Sequence, residues 1–122
     1  MATNTHMYAF TKKVTNSAMP SSTGLSSNIG SGASGAPAVS LAAQAAGSLV
    51  YAVGNDFDQA VNRTIGPNQT MVNQYLATIG DTYWVQRTTN AVAATGTSVT
   101  INDTAPAGDR YNLTICEIRA PQ

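Results

Sequence analysis

The chain has 122 residues, zero formal net charge and only 10% charged side chains, against roughly 25% in an average soluble domain. Six basic residues balance six acidic ones, which removes the net attraction to phosphates on which nucleic-acid binding depends. A single cysteine, Cys116, and a single histidine, His6, leave no internal disulfide and too few ligands for a zinc centre.

The length suits one domain with one core, spanning residues 1–122. Residues 1–6 read as a tail. Nothing approaches the run of about 18 apolar residues needed to cross a membrane, and the first residues lack the apolar centre of a secretory signal. Residues 7–10, MYAF, predict a short strand in which Tyr8 and Phe10 share one face and Ala9 takes the other. Residues 14–36 are rich in Ser, Gly and Asn. They predict a long loop, with room for one irregular strand near Leu25 to Ile29, because so few large apolar side chains cannot offset the entropy of ordering.

Residues 37–42, PAVSLA, alternate with Val39 and Leu41 inward. A short helix over residues 41–46 is the competing reading, since alanine favours helix. Residues 44–47 then turn, in hairpin fashion, into SLVYAVGNDFD, the stretch on which the rest depends. Its β-branched and aromatic run is too short for a buried helix and predicts a central strand. Leu49, Tyr51 and Val53 share a bulky face, and Val50, Ala52 and Gly54 a small one; Val53 is expected in the core. Residues 55–68 are turn-rich, with a helical turn expected over 58–62 capped by Asp58. Strands follow at residues 69–78, at 82–88 with the only Trp, at 97–102 and at 110–118. In 69–78, Val72, Gln74 and Leu76 are expected on one side and Met71, Asn73 and Tyr75 on the other. The total is about seven short strands roughly 10 residues apart, the pattern of an all-β antiparallel β-sandwich.

The segments SGASGAPAVSL, GSLVYAVGNDFD with RTIGPNQT, GDTYWVQ, and TSVTINDTAP with DRYNLTICEI resemble a module of large secreted or surface-attached bacterial proteins. They cover roughly the last three quarters of the chain. The resemblance implies an Ig-like or jelly-roll-like β-sandwich, repeated or appended beside other domains, with no catalytic residues to carry over. The family module is longer at its N-terminus, so this chain looks truncated there. A partner strand could then complete an open sheet edge, and Tyr8, Ala9 and Phe10 are the candidate assembly strand, pairing in cis or in trans.

Few residues suggest chemistry. Asn55, Asp56 and Asp58 form an oxygen-rich turn of the kind calcium prefers, although the segment lacks the glycine and distal Glu of an EF-hand. Turn formation, with ion pairs from Asp56 or Asp58 to Arg63 or Arg87 and from Asp103 or Asp109 to Arg110, is the plainer reading. Trp84, Tyr83 and Tyr75, with Tyr51 and Tyr111, offer an aromatic platform for a sugar; the plainer reading is a sandwich core. Cys116, in an apolar strand, is expected to be a small core residue. Glu117 is the only Glu, and no acid pair is set for glycoside hydrolysis. Four Asn-X-Ser/Thr sites, at Asn62, Asn68, Asn102 and Asn112, matter only in a glycosylating pathway.

The expectation is a non-catalytic module of a secreted or surface protein, without cofactor, acting in adhesion, scaffolding or assembly. A structural subunit of a viral particle or extracellular filament is the alternative, and a carbohydrate-binding module a further one. Expected partners are other protein subunits, neighbouring domains or a glycan, with a homo-oligomer among the possibilities. The expected location is extracellular or on a particle surface.

Overall fold

The computed structural model describes residues 26–119. The expected strand at Tyr8, Ala9 and Phe10 and the tail at residues 1–6 lie outside them. The described residues form eight strands and no helix: β1 (Ser27–Gly32), β2 (Ala38–Ala42), β3 (Leu49–Asp56), β4 (Thr64–Ile65), β5 (Gln69–Leu76), β6 (Thr82–Thr88), β7 (Ser98–Ala105) and β8 (Tyr111–Ile118). They make an antiparallel β-sandwich, with a five-stranded sheet in the order β1-β8-β3-β6-β5 and a three-stranded sheet β2-β7-β4.

β3 is the middle strand of the larger sheet, between β8 and β6. Its faces, however, are the reverse of the expected ones. Val50 and Ala52 belong to the core, whereas Val53 is half-buried on the outer face. The cause is Trp84 on β6. Gly54 lies opposite Trp84 in the register, and a Cβ on Gly54 would land within the indole ring. β3 therefore turns its small side inward because the large ring on its neighbour fills that space. The core comprises Val39 and Leu41 of β2, Val50 and Ala52 of β3, Trp84, Ile101 of β7, and Leu113 and Ile115 of β8, with Ala43 and Val92 from the connections. Burying such side chains stabilises the fold by about 1.5–3 kcal/mol each for the larger ones.

Three further expectations are corrected. Residues 27–32, where the sequence predicts one irregular strand near Leu25 to Ile29 within a long loop, form a regular edge strand β1, paired with β8 from Ser27–Cys116 to Gly32–Tyr111. Backbone hydrogen bonds hold it, and its small side chains are an advantage there: a Cβ on Gly30 would meet Val39 Cγ2 at 2.5 Å. Residues 44–47 do not close a hairpin, because β2 pairs with β7 in one sheet while β3 lies in the other. No helical turn forms at residues 58–62, because Asp56 rather than Asp58 accepts the local N–H groups, from Asp58 (2.8 Å) and Gln59 (3.3 Å). The β5–β6 register also shifts between Met71 and Asn73. The extra residue returns Met71 to the side of Gln74, against the simple alternation expected.

Candidate functional site

The polar residues at one end of the sandwich gather around Arg63, just ahead of β4. Its guanidinium donates from Nη1 to Asp56 Oδ2 at 2.6 Å and from Nε to Asp103 Oδ2 at 2.9 Å. It lies 4.5 Å from the centroid of the Trp84 ring. The side chains of all three charged residues are essentially buried, at 1% exposure for Arg63 and 0% for each Asp. Strand alternation explains the arrangement: Asp56 continues the inward series of β3, and Asp103 follows Val99 and Ile101 on the inward side of β7. Burial pushes the Asp103 carboxyl up, and the hydrogen bond from Arg63 opposes it. The fork of Arg63 makes two charge-assisted bonds that a point charge could not make together.

This geometry decides where the oxygen-rich turn leads. Asn55 and Asp56 are adjacent on a strand and so face opposite sides. Asn55 Nδ2 donates to the Asp56 and Thr82 carbonyls at 3.3 and 3.4 Å. Asp56 is taken by Arg63. Asp58 turns outward to Arg110, which donates from Nε (2.9 Å), Nη2 (2.6 Å) and its backbone N–H (2.6 Å). The three calcium candidates thus do not converge, and among the described residues no group of three or more His, Cys, Asp or Glu is placed to hold a metal ion. Of the expected ion pairs, Asp56–Arg63 forms. Arg110 pairs with Asp58 rather than with Asp103 or Asp109, because Asp103 is held inside by Arg63. The Asp58–Arg110 pair is on the surface, whereas the Arg63 network is buried.

Two further carboxylates are buried. Glu117, on β8, accepts from Ser48 Oγ at 2.6 Å and from the Gln44 and Ala45 N–H groups at 2.8 and 3.0 Å. It ties the β2–β3 connection to the core. Nothing in the TICEI run signalled this role beyond an inward-facing position that only a satisfied acid could occupy. Asp109 accepts from Gln59 Nε2 at 3.1 Å through Oδ1, and its buried Oδ2 has no hydrogen-bond partner. Burial first, then the neighbouring Asp56 carboxylate, pushes the Asp109 pKa up; Gln59 opposes this and Asp58 adds to it. A carboxyl raised on folding stabilises below its ordinary range, and that contribution disappears as pH rises through the folded value. At neutral pH an ionised Asp109 is therefore a net cost. Asp109→Asn should raise the melting temperature at pH 7 and remove the stabilisation that wild type gains on mild acidification. A variant less stable than wild type at pH 7 would contradict this.

The aromatic candidates separate in the same way. Trp84 is 2% exposed, and its Nε1 donates to Gln86 Oε1 at 2.7 Å. Gln86 Nε2 continues to Gln69 Oε1 at 2.6 Å and to the Asn102 carbonyl at 3.1 Å. Trp84 is a core residue and presents no face to a sugar. Tyr83 and Tyr75 pair across β6 and β5 on the outer face, and Tyr83 donates its hydroxyl to Asp81 at 2.8 Å. Cys116 also faces outward, half-buried beside Tyr51, rather than into the core, and burial raises its thiol pKa. No family model, no curated protein and no solved structure matches the chain.

Proposed function

We propose that this chain is a non-catalytic binding module that works by association with protein partners, in scaffolding, adhesion or assembly, outside cells or on a particle surface. The observation that carries this reading is edge strand β1. Its sequence SNIGSG has no charged residue and no proline, whereas edge strands are ordinarily guarded by such residues against pairing with another chain. Ile29 is 76% exposed on it. Beside it runs a shallow groove of about 340 Å³, lined by Ile29, Gly30, Ser31, Asn112 and Thr114. An incoming strand would gain main-chain hydrogen bonds from the edge and a side-chain seat from the groove.

The charged groups fit the same reading. Each of the six carboxylates, on Asp56, Asp58, Asp81, Asp103, Asp109 and Glu117, accepts a hydrogen bond from within the fold. A particle or filament subunit, the alternative, would use the same edge between identical copies. A glycan reading has less support with Trp84 in the core.

The test is Ile29→Lys, measured by sedimentation over a range of concentrations. Wild type should associate with increasing concentration and the variant should not, while its urea unfolding stays within about 0.5 kcal/mol of wild type, as for an exposed site. Equal association by both proteins, or a wild type monomeric throughout, would refute assembly through this edge.

A further inference from the structure

Strand order and direction place every aspartate at one end of the sandwich. β3 and β5 run toward that end and β6 and β8 run away from it, so Asp56, Thr82 and Leu76 lie in one row, with Tyr111 on the other side of Asp56. β7 ends there too, because a short connection leads from Ala105 to Tyr111. Asp56, Asp58, Asp81, Asp103 and Asp109 are the aspartates of the chain, and among the described residues only Arg63 and Arg110 join them there as bases. Arg87, Glu117 and Arg119 belong to the opposite end. The excess of acid is not cancelled within the fold: the buried Oδ1 of Asp103 and Oδ2 of Asp109 have no hydrogen-bond partner.

We infer that this end is a docking surface for a protein segment that carries both basic and large apolar side chains. Of the four large apolar side chains exposed among the described residues, three are here: Phe57 at 43%, Leu76 at 39% and Ile79 at 78%. Apolar side chains exposed singly are ordinary, whereas several gathered in one place mark an interaction site. Phe57 follows Asp56, whose row reaches Leu76 in two strand spacings, roughly 10 Å. Ile79 tops the β5–β6 turn. Folding does not call for an apolar side chain at position 79. Backbone bonds close that turn, from the Gly80 N–H to the Ala77 carbonyl at 3.0 Å and from the Ala77 N–H to the Asp81 carbonyl at 2.8 Å. Gly80 supplies the left-handed residue, at φ 101°, and a polar residue would serve beside it as well. Phe57 is likewise held by its backbone, whose N–H donates to the Arg110 carbonyl at 3.2 Å.

Charge selects the occupant. An acidic partner would be repelled, and so would a second copy presenting the same end. The opposite end of a second copy has Arg87 and Arg119 but, among the described residues, no exposed large apolar side chain, so it matches only half of the surface. A basic and apolar segment matches both halves. Its apolar side chains bury against Phe57, Leu76 and Ile79, and its cations meet Asp81 and Asp58, whose side chain stays 29% exposed while it holds Arg110. None of these residues belongs to β1 or to its groove. The surface gives a second contact to a module proposed above to work through protein partners, and it stands whether or not the β1 edge is used.

The probe is a short fluorescent peptide of lysine and leucine, titrated with the full chain. Two control peptides carry glutamate in place of lysine or serine in place of leucine. Wild type should bind the Lys/Leu peptide about tenfold more tightly than either control, and added salt should weaken that binding. Phe57→Ser combined with Ile79→Ser should weaken it about tenfold, while urea unfolding stays close to wild type, since both side chains are exposed. If the pair does not fold, Ile79→Ser alone decides. Asp81→Asn should weaken binding and flatten its salt dependence. Ile29→Lys should leave the affinity unchanged, which separates this surface from the β1 edge. No binding of the Lys/Leu peptide by wild type, equal binding of all three peptides, or equal affinity in wild type and the serine variant would overturn the inference. So would loss of binding in Ile29→Lys, which would move the peptide to the edge strand.

Discussion

Arg63→Ala is expected to remove most of the domain's stability. The substitution leaves Asp56 and Asp103, both with fully buried side chains, without a counter-charge. Breaking a buried pair from one side costs about 3–5 kcal/mol, and whole domains are stable by only about 5–15 kcal/mol. The guanidinium also covers the Trp84 ring, so its loss opens a void against the largest core side chain. Arg63→Lys should recover only part of the loss, because one ammonium cannot reproduce Nε on Asp103 and Nη1 on Asp56 together. Replacing the set, as Arg63→Met with Asp56→Asn and Asp103→Val, should be far milder than Arg63→Ala, since an apolar substitute for a buried ion network is often neutral. Urea unfolding followed by Trp84 emission measures all three. Should Arg63→Ala unfold within about 0.5 kcal/mol of wild type, as surface substitutions do, the network would not hold this end of the sandwich together.

Such a network shows how far the sequence could be read. Alternation placed Val39, Leu41, Ile101, Leu113 and Ile115 inward, and all are buried, because in those strands the apolar side is also the larger one. β3 broke the rule. Its small face is the buried one, since space there depends on Trp84, thirty residues away, and no local pattern carries that. β1 was legible only as an irregular strand near Leu25 to Ile29 inside a loop, because a strand held by backbone pairing and close approach has no apolar alternation to display. The Asp56–Arg63 pair was legible from charge and spacing. Its burial was not, because NDFDQAVNRT reads as any polar turn until Asp103 arrives from β7. The candidate sites followed the same logic. Neighbours in sequence, such as Asn55 and Asp56, diverge on a strand, and residues distant in sequence, such as Asp56 and Asp103, meet.

Gly54→Val should be among the most disruptive single changes in the larger sheet that introduce no charge. Gly54 is absent from the glycines with positive φ, which are Gly35, Gly47, Gly80 and Gly96, so its backbone would accept any L residue. On backbone grounds alone, Gly→Ala at such a position stabilises by about 0.4–1 kcal/mol, and a β-branched residue suits a strand. The whole loss must then come from the contact with Trp84, whose ring occupies the place of the missing Cβ. Trp84 cannot withdraw easily. Its Nε1 is bonded to Gln86 and its face is stacked under Arg63. Overpacking of this kind costs about 1–3 kcal/mol and sometimes more; Gly54→Ala should fall within that range and Gly54→Val beyond it. The decisive measurement is a double-mutant cycle with Trp84→Leu. That change alone should destabilise strongly, since truncation of a buried Trp as far as Ala costs about 3–5 kcal/mol. Combined with Gly54→Ala, it should cost clearly less than the sum, a coupling of about 1 kcal/mol or more between touching residues. Strict additivity, or a Gly54→Ala variant as stable as wild type, would show that the indole does not dictate which face of β3 turns inward.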